Sequence, residues 1–109
     1  MAYDEAVAAR IRDAIGNEAG LSEKKMFGGI AFLLMGNMAC GVNKDDLIVR
    51  MGPEESESAV DEPAARLFDL TGRPMKGWIC VGREGYADDD DLRRWVDRGV
   101  SYARSLPPK

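Results

Sequence analysis

The sequence predicts an α+β fold: a mostly antiparallel five-stranded sheet with helices packed on one face, in the order α-β-β-β-α-β-β-α. Three observations carry this. Apolar residues recur at helical spacing at both ends of the chain, and the segment between them consists of short apolar runs punctuated by glycine, asparagine and proline. The turns joining the first three runs are also too short for the crossover of about a dozen residues or more that parallel neighbours require. The 109 residues are read as one domain, 1–109, because a chain of this size buries roughly 65% of its unfolded surface and needs no metal or disulfide to hold a core.

Each element has a local reason. Val7, Ala8, Ile11, Ala14 and Ile15 form one face of a helix over Asp4–Ile15, which Gly16-Asn17 ends. A β-meander follows: Ile30–Met35, Met38–Val42 and Leu47–Met51, with Gly36-Asn37 as the two-residue hairpin turn and Gly28-Gly29 as a bulge bending the first strand. Gly52-Pro53-Glu54-Glu55 then starts a short helix, with proline in its first turn and carboxylates at its positive dipole end, running to about Val60 before Asp61-Glu62-Pro63. Leu67-Phe68-Asp69-Leu70 and Met75–Val81 are the last two strands, separated by the turn-rich Thr71-Gly72-Arg73-Pro74. Leu92, Trp95, Val96, Gly99, Tyr102, Ala103 and Leu106 mark one face of a final helix that starts after Asp88–Asp91 and stops at Pro107-Pro108.

Composition removes several kinds of chemistry. The chain has no histidine, so Ser-His-Asp and Cys-His nucleophile pairs, imidazole acid–base work and histidine metal ligation are excluded. Cys40 and Cys80 lie far apart outside any C-x-x-C pattern, which predicts reduced, buried, structural thiols and no sulfur-bound metal. The longest apolar run, Ile30–Met35, is too short to span a membrane, and the N-terminus lacks a basic signal-peptide region, so a cytoplasmic setting is expected.

Net charge is −4, with carboxylates concentrated in Glu54–Glu62 and Asp88–Asp91 and an excess of cations elsewhere. The acidic balance, with no recognition helix of clustered basic residues, argues against direct DNA binding. The Asp88–Asp91 run reads as a helix cap, since the spaced carboxylates of a calcium loop are missing. Trp78 and Trp95 both fall on apolar faces and are expected in the core.

The candidate partner- or anion-binding residues are Arg50, Arg73 and Lys76, with Arg83 nearby in sequence. Cations carried on adjacent strands and a turn, beside glycines and a tryptophan, have the chemistry to hold a carboxylate or phosphate. The structural alternative is that Arg50 and Lys76 point to solvent from the outer face of the sheet or pair with Glu54, Glu55 or Asp69. No catalytic residue is expected.

Four blocks, in order, carry a family resemblance: Lys25-Met26-Phe27-Gly28-Gly29-Ile30-Ala31-Phe32, Gly36-Asn37-Met38-Ala39-Cys40-Gly41-Val42, Asp46-Leu47-Ile48-Val49-Arg50-Met51-Gly52-Pro53-Glu54 and Gly72-Arg73-Pro74-Met75-Lys76-Gly77-Trp78. Together they resemble the N-terminal domain of the TfoX/Sxy family, regulators of bacterial competence genes. The resemblance implies a compact, cofactor-free, non-enzymatic α+β domain linked to transcriptional regulation. Two-domain members carry a further helical domain, and this chain resembles the stand-alone ones. The expected function is that of a small cytoplasmic regulatory domain acting on a protein partner, either transcription machinery or another regulator. The alternative is a small-anion binder or enzyme built on a pocket of Arg50, Arg73 and Lys76.

Overall fold

A computed structural model describes residues 3–16, 19–26, 29–68 and 75–108. The fold is α+β, with helices α1 (Glu5–Ile15), α2 (Pro53–Ala59) and α3 (Asp89–Ser105) and strands β1 (Leu21–Met26), β2 (Gly29–Leu34), β3 (Asn37–Asn43), β4 (Asp46–Arg50), β5 (Ala65–Phe68) and β6 (Met75–Val81). The strands form one antiparallel sheet in the order β1-β2-β3-β4-β6-β5. Six strands therefore replace the expected five. The additional one, β1, is an edge strand whose Ser22, Glu23, Lys24 and Lys25 are all exposed. These four consecutive exposed residues lack the alternation that marks a strand in sequence, and their charges suit an edge that must not recruit other chains.

Burial follows the pleat. Phe32 and Leu34 of β2, Leu47 and Val49 of β4, and Ile79 and Val81 of β6 face the helices, where Ile11 of α1 and Trp95 and Val96 of α3 meet them in the main core. The opposite face carries a smaller cluster of Ala31, Met38, Ile48, Phe68 and Cys80. Asp4 caps α1 by accepting the Ala6 amide at 2.9 Å.

Two details of the meander differ from expectation. The β2–β3 turn is centred on Met35-Gly36, both at positive φ (53° and 85°), one residue earlier than Gly36-Asn37. Asn37 is instead the first residue of β3, buried, its side-chain amide donating to the Pro107 carbonyl at 2.9 Å. The β2–β3 irregularity lies between Phe32 and Leu33, where Ala39 is the extra residue on β3. Of the glycine pair, Gly28 is outside the described residues and Gly29 opens β2. Asp69 and Leu70, expected to end a strand, also lie outside them.

Both cysteines are buried and free, on opposite faces of the sheet: Cys40 in the main core, Cys80 in the smaller cluster. Burial pushes both thiols up to about 12. The native chain should therefore resist thiol-modifying reagents at neutral pH, and its thermal midpoint should be the same with and without reductant. A drop of more than about 5 °C on reduction, roughly 1 kcal/mol for this size, would refute the assignment.

Candidate functional site

Two of the sequence candidates, Arg50 and Lys76, are carried at the same end of the β4–β6 pair. Leu47 and Val49 of β4 point into the main core, and Arg50 ends the strand opposite Trp78 of β6. On its other side β6 pairs with β5, but the register jumps from Leu67↔Ile79 to Phe68↔Met75. Residues 76–78 thus have no partner on β5. Released from one neighbour, Trp78 is half-buried and packs at the margin of the smaller cluster, so it is core only in part; Trp95, by contrast, is fully in the core at 1% exposure.

The irregular stretch is fixed in place by α2. Gly77 adopts φ +86°, which a side chain rarely tolerates, and a Cβ there would approach the Met51 carbonyl oxygen to 2.8 Å. Its amide donates to the hydroxyl of fully buried Ser56 at 3.0 Å, and that hydroxyl donates to the Pro53 carbonyl at 2.7 Å. The Gly77 carbonyl accepts the Met51 amide at 2.8 Å. The backbone beside Trp78 therefore has its polar groups satisfied.

Over this base, the guanidinium carbon of Arg50 stands 5.0 Å from the Trp78 ring centroid and 5.6 Å from that of Tyr102, contributed by the last turns of α3. All three residues are half-buried. The electron-rich ring faces attract the cation and hold it in one place. Arg50 forms no ion pair among the described residues, so the expected alternative partners Glu54 and Glu55 do not take it. Other arginines behave differently: Arg12 meets Glu23 at 2.8 Å, Arg66 meets Asp46 at 3.0 Å, and Arg83 meets Asp45 at 3.0 Å and Asp4 at 3.3 Å. Arg83 is thereby committed away from this end of the sheet.

Lys76 stands two residues before Trp78 on β6. Its amine is 3.9 Å from a Glu57 oxygen, with the two side chains 72% and 69% exposed, a long contact in high dielectric that holds little. Arg73, the third candidate, lies outside the described residues. The structure thus joins Arg50 to two aromatic rings and carries Lys76 two residues before Trp78 on the same strand, beside Glu57, without joining the two cations to each other. Tyr102 was legible only as part of an apolar stripe; its contact with Arg50 depends on where α3 ends against β4.

The acidic blocks serve the fold. Arg98 of α3 binds Glu55 at 3.0 Å and Glu62 at 2.6 Å, and Arg94 binds Glu62 at 2.7 Å. Burial pushes the Glu62 carboxyl up, but the hydrogen bonds from Arg94 and Arg98 outweigh it and leave it below its ordinary value. Glu55, Arg94 and Arg98 also line an open cleft of about 470 Å³ along α3. Asp89 meets Arg10 at 3.1 Å and Asp91 meets Arg94 at 3.6 Å. Among the described residues no three of Cys, Asp and Glu are grouped to hold a metal ion, and no helix is long and apolar enough to cross a membrane.

In comparison with known proteins, the family model described as TfoX N-terminal domain matches residues 14–103. No curated protein and no solved structure matches the chain.

Proposed function

The chain belongs to the TfoX N-terminal domain family, and from that premise we propose that this competence-regulator-like chain is a small, cytoplasmic, non-enzymatic domain of bacterial transcriptional regulation. It works by binding a protein partner. The observation that carries this reading is the half-exposed set of Arg50, Trp78 and Tyr102. These three residue types supply most of the binding energy at protein interfaces, because each offers a large, fairly rigid contact area with a polar end. Chemistry points the same way. Without histidine, and with both thiols buried and far from thiolate formation at neutral pH, the chain lacks the usual means of activating a nucleophile.

Affinity capture from bacterial extract tests the proposal, using the wild-type chain and Arg50→Ala side by side. We expect a specific protein retained by the wild type and lost with Arg50→Ala, at nearly unchanged thermal midpoint. Equal recovery by both would place the contact elsewhere. In a parallel gel shift, binding to a DNA fragment with a steep negative slope in log K against log salt would replace the reading with direct DNA recognition.

A further inference from the structure

We infer that the Arg50–Trp78–Tyr102 cluster is a receptor for a single carboxylate on the partner, an Asp or Glu side chain of a peptide segment with an apolar residue beside it. The inference rests on the reading that this domain binds protein, and it adds the chemistry of what is bound.

Four features support it. Arg50 donates no hydrogen bond to an acceptor among the described residues, whereas Arg12 donates to Glu23 through both Nε and Nη2 and Arg98 to Glu55 and Glu62. The two rings hold the guanidinium in place through its charge, and its planar set of N–H donors, unused by the described residues, matches the two oxygens of a carboxylate. The ground beneath is preformed: Ser56, Gly77 and Met51 fix the backbone on which Trp78 stands, so little ordering opposes binding. The half-exposed rings offer an apolar surface beside the charge, and Lys76 adds positive potential two residues away.

Neighbouring charge also limits the ligand. Glu54, Glu55 and Glu57 are exposed on α2, which follows directly on Arg50 and touches Lys76 through Glu57. A continuous polyanion such as nucleic acid would run its phosphates into these carboxylates. A single carboxylate reaches the Arg50 edge without doing so.

The test is an NMR titration of the full chain with acetyl-Gly-Glu-Leu-Gly-amide, its Gln counterpart and inorganic phosphate. The Glu peptide should give saturable shifts at the Arg50 Nε–H, the Trp78 indole N–H and the Tyr102 amide. The Gln peptide should bind about tenfold more weakly or worse, and Arg50→Lys, which keeps the charge but loses the planar edge, should show a similar loss. Lys76→Gln should weaken binding only a few-fold, with the difference vanishing at high salt. Absence of shifts at these three residues in the wild type, or equal response to the Gln peptide or to phosphate, overturns the inference whatever the variants do. If no peptide binds while protein capture still depends on Arg50, the carboxylate assignment fails and the protein-contact reading stands. If the Glu peptide binds while extract yields no partner, the carboxylate site stands and the protein-contact reading fails.

Discussion

Gly99→Ala should destabilise the chain by about 2–3 kcal/mol, although alanine at an exposed helical site would gain up to about 1 kcal/mol over glycine. The reason is the approach of α3 to the centre of the sheet. A Cβ at position 99 would sit on the carbonyl oxygen of Ala39, 2.9 Å from its carbonyl carbon and 3.3 Å from a Val49 methyl group. Ala39 is the extra residue of the β3 irregularity, so the obstacle is backbone in a central strand, which cannot rotate away as a side chain would. To admit the methyl group α3 must lift, and lifting it loosens the contacts of Leu92, Trp95, Val96 and Ala103 together. In thermal or urea unfolding we expect a midpoint lowered by on the order of 10 °C or more. Ser101→Ala, on the exposed side of the same helix, serves as the control and should be neutral or slightly stabilising. A Gly99→Ala midpoint equal to or above that of the wild type would mean that α3 stands farther from β3 than described.

How much of this was legible in sequence depended on whether an element has one buried face. The stripes of α1 and α3 announced themselves because Val7, Ile11 and Ile15, and Leu92, Trp95, Val96 and Gly99, are buried at helical spacing. The edge strand β1 did not, since Ser22, Glu23, Lys24 and Lys25 in succession are exposed and leave no period to read. The hairpin turn was off by one because Met35 takes up a positive φ that sequence preference assigns to glycine and asparagine, while Asn37 is used to bind the C-terminal segment. For the site, residue type and spacing singled out Arg50 and Lys76 but misjudged their surroundings. Trp78 read as core because its strand is apolar, and only the register jump against β5 leaves it half-exposed. Ion pairs such as Arg98–Glu55 and Arg10–Asp89 join residues that are distant in the chain and adjacent only once α3 has docked. Glu55, Glu62, Asp89 and Asp91 of the acidic blocks therefore have partners in the structure that their sequence neighbourhood does not reveal.

Trp95→Ala should be the most damaging single truncation, costing about 3–5 kcal/mol, because it removes the largest fully buried side chain from the contact between α3 and the sheet. Part of the loss is the cavity itself. Part is polar: the indole N–H donates to the Gly85 carbonyl at 3.2 Å, holding the turn that precedes α3, and its removal leaves that carbonyl short of a partner. A third part passes through the surface. Arg98 and Arg94 lie over the indole ring, 4.7 and 5.5 Å from its centroid, while they bind Glu55 and Glu62 of the α2 side. Without the ring their side chains lose the surface that orients them, and the clamp between α2 and α3 weakens. Trp95→Phe separates these contributions, since it keeps much of the apolar volume and a ring face for the arginines but gives up the bond to Gly85. Its loss should be well under half that of alanine. Against a typical total stability of about 5–15 kcal/mol, the alanine variant should melt on the order of 20 °C lower or fail to fold at 37 °C. A cost below about 1 kcal/mol would show that Trp95 is not packed between α3 and the sheet, and equal losses for Phe and Ala would assign the effect to the Gly85 bond and not to the core.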